Sequence, residues 1–262
     1  MTIFFHEMKQ SVKSLLIWSI TVGATVFVCM LMYPAMKSQM SSVNAMFANM
    51  GGLTAAFGMD KLSVGTAMGF YGMECGNILG IGGAFFAALV GIDTLAKEES
   101  GHTAEFLLTH PVSRVKVVSE KLLSVAAIII CFDVIFLAFS ITSFWAIGES
   151  IVWQPFWLFH LAQTVMQLEI ACICFGISAF LKRGNIGMGL GLAALLYFLN
   201  IFVNISKDAE FLKYITPFTY ADPANVIASN SLDGTLIAIG AGIAIVFTGI
   251  GFLKYRFKDI AA

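Results

Sequence analysis

Apolar positions in this chain gather into long uncharged runs, and charges punctuate them. Ser14–Met36 lies between Lys13 and Lys37, and Cys75–Ile92 between Glu74 and Asp93. Leu122–Gly148 holds a single acid, Asp133, and Ser150–Leu181 holds another, Glu169; Gly184–Ser206 and Gly234–Leu253 hold none. A helix crossing about 30 Å of hydrocarbon needs roughly 20 predominantly apolar residues, so each of these runs is long enough to span. The pattern predicts six transmembrane helices at approximately 15–36, 76–97, 121–148, 156–181, 185–206 and 234–254. The period-two alternation of a barrel strand is absent, and an open sheet edge cannot be satisfied in lipid, so the fold class is all-α and polytopic.

Composition sharpens this reading. Of 262 residues, 58% are hydrophobic and 12% charged, against about a quarter charged in a typical soluble domain, which excludes an ordinary water-soluble protein. A net charge of −1 carries no basic surplus for gathering phosphates, so no nucleic-acid partner is expected. Residues 1–262 read as a single transmembrane domain with membrane lipids around it. Placing the N-terminus inside puts eleven Lys and Arg residues on the cytoplasmic side and four, Lys37, Lys61, Lys207 and Lys213, outside, which predicts both termini in the cytoplasm and a multi-pass protein of the cytoplasmic membrane. Trp145, Trp153 and Trp157 fall at the outer ends of spans three and four, and Trp18 and Tyr255 near the inner surface. The first apolar run is a full span without a small-residue cleavage pattern, so no cleavable signal peptide is expected. Cys29, Cys131, Cys172 and Cys174 lie inside spans and Cys75 near the outer surface, which offers no disulfide framework; Cys172 and Cys174 read as small packing residues.

The connections are unequal. Lys37–Glu74 is too apolar for a disordered linker and predicts short helices on or in the outer leaflet, while Gly72, Gly76 and Gly80 permit close helix approach or line a pore. The N-terminal MTIFFHEMKQSVK reads as an amphipathic piece lying along the inner surface before turning into span one.

The inner connection between spans two and three, AKEESGHTAEFLLTHPVSRVKVVSEK, is polar enough for water yet carries Phe106, Leu107 and Leu108. Thr103 can cap a short helix, Pro111 ends it, and Ser113 can cap the next, which runs on into span three. Pattern alone leaves two readings: a solvated loop stabilised by pairs such as Lys116 with Glu120, or a helix that docks on a soluble partner.

This run resembles the signature of ABC-type-two permeases, the membrane subunits of ATP-binding-cassette exporters, E-E-x-x-G-T-x-E-x-L-L-x-x-P-x-S-R. Glu98, Glu99, Thr103, Glu105, Leu107, Leu108, Pro111, Ser113 and Arg114 match it, and Lys121 stands where a Lys commonly follows; His102 replaces the usual Gly, with Gly101 one position earlier. Six spans with both termini inside and the outer segment ITPFTYADPANVI are similar to the family as well. The resemblance implies a type V ABC exporter-like permease that forms the substrate pathway and is not itself an enzyme. It implies a coupling helix over about 103–111 seated in the ATPase, and outer helices over Lys207–Asp233 that close an extracellular gate. It further implies an ABC-type ATPase subunit carrying ATP and Mg, no cofactor on this chain, and a second permease chain forming a homo- or heterodimer. The chain has no G-x-x-x-x-G-K-[ST] motif and no Gly-Lys pair, so it cannot build a phosphate-cradling loop of its own.

Two intramembrane acids stand apart. Asp133 lies 11 residues into its span and Glu169 lies 12 residues before Leu181, each roughly 16–18 Å deep at 1.5 Å per residue. Such carboxyls are protonated, paired or facing water, and their consecutive antiparallel spans would let them approach and share a proton. They read either as a site for a cationic group or for proton linkage, or as protonated groups hydrogen-bonded to a neighbouring helix. His160, Gln163, Thr164 and Gln167 form a polar stripe on one face of span four, opposite Glu169. The stripe serves interhelical hydrogen bonding or substrate contact, and His160 has no co-ligands for a metal. An ion-gradient-driven secondary transporter using Asp133 and Glu169 is the alternative function, although it gives no reason for the inner T-A-E-F-L-L-T-H-P segment. An intramembrane hydrolase is excluded: no G-x-S-x-G occurs, and His6-Glu7 lacks the second His.

Overall fold

The computed structural model describes residues 2–39, 54, 61–63, 65–101 and 112–258. Among them the secondary structure is helical throughout, with six helices long and apolar enough to cross a membrane: span one Thr2–Ser38, span two Ala67–Asp93, span three Arg114–Ala146, span four Trp153–Ser178, span five Ile186–Ile205 and span six Gly234–Phe257. Spans two and four form the interior, and spans five and six are the most exposed. Span one packs along span three, span four lies between spans two and six, and span five closes on span two.

The helices overrun their apolar cores. Span one is a continuous helix from Thr2 to Leu31, so the N-terminal segment does not lie flat and turn as its amphipathic pattern predicts. It holds no Pro or Gly before Gly23, and its charge at Glu7 is neutralised by lysines from elsewhere in the fold. Span one breaks only at Met32, where Pro34 begins the short helix Tyr33–Ser38. Span two starts at Ala67, capped by the Thr66 hydroxyl, and passes through a π-helical turn at Tyr71–Cys75. Span three begins at Arg114 with the Ser113 hydroxyl accepting from the Lys116 N–H, as the sequence predicts.

Small residues set the closest helix contacts. A Cβ at Gly91 would lie 2.5 Å from the Ala171 carbonyl oxygen, so spans two and four approach backbone to backbone there. Trp153 and Trp157 stack at the start of span four with centroids 6.2 Å apart, and Trp145 is 85% exposed nearby. That is the aromatic anchoring expected where a helix leaves the bilayer.

Between spans five and six the chain does not stay at the surface. Lys207–Tyr214 forms a 3-10 turn, and two short helices, Phe218–Ala221 and Pro223–Ser229, then enter the bundle. Gln163 Nε2 donates to the Ala221 carbonyl at 2.7 Å. Gln163 stands ten residues into span four, so the hairpin reaches about 15 Å below its start at 1.5 Å per residue. Gly76 of the Gly72, Gly76 and Gly80 series makes room for Pro223 of this hairpin, and Gly72 for Ile227. Gly80, by contrast, is bordered by Gln163 of span four as well as by Phe218 of the hairpin, so the series serves both the re-entrant segment and a neighbouring span.

Candidate functional site

Two groups of polar side chains stand out, one at the face carrying Thr2 and Lys258 and one inside the bundle. At the first, Lys121 is fully buried, and its Nζ donates to Glu7 Oε1 at 2.6 Å, Glu98 Oε1 at 2.8 Å and the Thr94 carbonyl at 3.1 Å. Lys97 pairs with the other oxygen of Glu7. Lys258 forms an ion pair with Glu99 Oε1 and donates to the Leu181 carbonyl, both at 2.7 Å. Arg114 Nη1 donates to the carbonyls of Tyr255, Arg256 and Lys258, the last at 2.7 Å. A buried ammonium between two carboxylates is neutralised, and removing either side would leave an uncompensated charge. The clasp thus ties the ends of spans one, two, three, four and six together. It also fixes both flanks of the inner segment, Lys97–Ser100 before it and Ser113–Arg114 after it.

Of the predicted coupling residues, Glu98, Glu99, Ser113 and Arg114 therefore lie in or beside this clasp. Thr103, Glu105, Phe106, Leu107, Leu108 and Pro111 lie outside the described residues. Glu120 does not take Lys116 as the loop reading had it. Its Oε2 accepts from the Ile3 and Phe4 N–H groups at 3.0 and 3.2 Å, because span three runs beside the first turn of span one.

Inside the bundle the two acids belong to different places. Asp133 Oδ2 accepts from the Thr164 hydroxyl at 2.6 Å, and Oδ1 from Gln167 Nε2 at 3.0 Å. Glu169 Oε2 accepts from the Tyr220 hydroxyl at 2.7 Å and abuts Gly240 of span six, where an added methyl would overlap it. The two carboxyls share no hydrogen bond or bridging donor, contrary to the approach expected from antiparallel neighbours: at 100° per residue, Glu169 is turned away from the face of span four that meets Asp133.

The polar stripe is an interhelical surface along its length. His160 Nε2 meets the Tyr71 hydroxyl at 3.1 Å, and Tyr71 also reaches Ser140 at 2.8 Å. Gln163 holds the hairpin, and Thr164 and Gln167 hold Asp133. Sequence reasoning missed Tyr71, Tyr220, Asn200 and Asp222. Asp222 caps Pro223–Ser229 through Ala224 and Asn225 and accepts from Asn204 Nδ2 at 3.0 Å, while Asn200 Oδ1 accepts from Thr219 at 3.0 Å. The Asp-Pro pair within ITPFTYADPANVI was the available signal for a capped helix start.

Six apolar spans, a buried polar seam through their centre and a re-entrant hairpin define a multi-pass membrane transport component. The chain belongs to the ABC-2 family transporter proteins, whose family description matches residues 1–260. It is thus of the permease class of ABC transporter, in keeping with the signature around Glu98–Arg114. No curated protein matches it as a relative.

Proposed function

We propose that this chain is the permease subunit of an ABC exporter in the cytoplasmic membrane, with both termini inside, and that a separate ABC-type ATPase supplies ATP, Mg and the hydrolysis step. The observation that carries the proposal is the clasp. The flanks of the 103–111 segment are fastened by Glu98 to Lys121, by Glu99 to Lys258 and by Arg114 to the end of span six. Force applied to the 103–111 segment, with both flanks held this way, would pass into spans one, three and six. Phe106, Leu107 and Leu108 would supply the apolar contact with the ATPase. A second permease chain, identical or related, would complete the route, and Lys207–Asp233 would close it on the outside.

The ion-gradient alternative loses support because its two acids bond different elements and share no partner. Purification of the full chain from its native membrane tests the proposal. A P-loop ATPase should come with it in stable stoichiometry, and the complex should hydrolyse ATP. Gradient-driven uptake by the chain alone in vesicles, with no ATPase bound, would overturn the reading.

A further inference from the structure

The Asp133 carboxyl is held by span four and borders a cavity. Thr164 and Gln167 hold it from span four, and beyond it lies a cavity of about 220 Å³ between spans three and four. The cavity is walled by Ile130, Val134, Leu137, Trp157, His160 and Leu161, besides Asp133 and Thr164. Its apolar rim is turned outward from the bundle: Val134 is 59% exposed and Leu161 54%. On a spanning helix, an outward apolar side meets lipid where no second chain covers it. Among the described residues no Lys, Arg or His lies within ion-pair distance of Asp133, whereas Glu7, Glu98 and Glu99 each have a lysine.

An acid at mid-bilayer depth with hydrogen-bond donors and no countercharge is costly, and such groups mark ligand paths. The cavity is below the 300–1,000 Å³ of a drug-sized pocket, so it holds a head and its first carbons, with the rest of the molecule left in the bilayer. We propose that this groove is a lateral binding site for a single-chain amphiphile bearing a protonated amine. The ammonium meets Asp133, the alkyl chain runs along Val134 and Leu161 toward Trp157, and His160, held by Tyr71, closes the end of the polar patch. The inference deepens the exporter reading by naming a cargo class. Binding to the permease alone tests it without any ATPase.

Trp157 supplies the probe. It stands seven residues from Thr164, about 10 Å along the helix, which matches the reach of an eight-carbon chain from Asp133. In full-length protein with Trp18, Trp145 and Trp153 changed to Phe, 8-bromooctylamine should quench Trp157 saturably at neutral pH, and at least tenfold more tightly than 8-bromooctan-1-ol. Asp133→Asn, which keeps a side chain of the same shape beside Thr164 and Gln167, should erase that preference. Equal quenching by amine and alcohol in the parent would overturn the proposal with no reliance on a variant. So would an undiminished amine preference in Asp133→Asn, or disulfide cross-linking of Leu161→Cys between two copies that excludes the amine.

Discussion

Asp133 and Glu169 are the same chemistry at similar depth in neighbouring spans, and the fold gives them opposite surroundings. Glu169 is 3% exposed, bonded to Tyr220 of the re-entrant hairpin and pressed against Gly240. It fastens the hairpin and span six to span four. Asp133 is only partly buried, takes both its donors from span four, and borders an apolar groove. One carboxyl fastens separate elements together; the other is held by span four at the edge of a groove. The lesson is that an intramembrane acid is read from what covers it, since its depth and residue type do not distinguish the two cases.

The comparison can be broken by substitution. Gly240→Val should have the largest effect, because the added carbons displace Glu169 from Tyr220. Overpacking and a lost buried hydrogen bond together cost about 3 kcal/mol or more, read as a lowered thermal midpoint in detergent. Tyr220→Phe should cost about 1–3 kcal/mol by leaving Glu169 without its donor, and should raise protease sensitivity at the hairpin. Asp133→Asn should change stability by less than about 1 kcal/mol, since its amide can still bond Thr164 and Gln167 at the edge of the groove. A midpoint loss for Asp133→Asn as large as that for Tyr220→Phe would erase the distinction between the two acids.

Much of the architecture was legible in uncharged length alone. Six runs announce six spans because lipid penalises an unpaired charge whatever its neighbours, so the signal is local. The same rule misjudged the ends. The apolar run of span one stops at Lys13, yet its helix continues back to Thr2, while the helix capped by Ser113 runs through Lys121 into span three as its cap predicts; Glu7, Lys97, Glu98 and Lys121 neutralise one another across sequence separations of up to 114 residues. The stripe on span four was legible from its spacing, since four polar residues on one helical face need partners. Which partners they found was not. Asp133 comes from span three, Tyr71 from a π turn and Ala221 from a hairpin that re-enters the bundle, and no periodicity encodes those approaches. The glycine series signalled a close approach without naming the segment that makes it.

The clasp gives the central claim its most direct test. A cysteine placed at Leu107, in the chain otherwise lacking cysteines, should cross-link in native membranes to a P-loop ATPase, with higher yield than a cysteine at exposed Phe257 on span six. Labelling of Leu107→Cys by lipid-phase reagents alone, with no ATPase adduct while transport continues, would contradict the account.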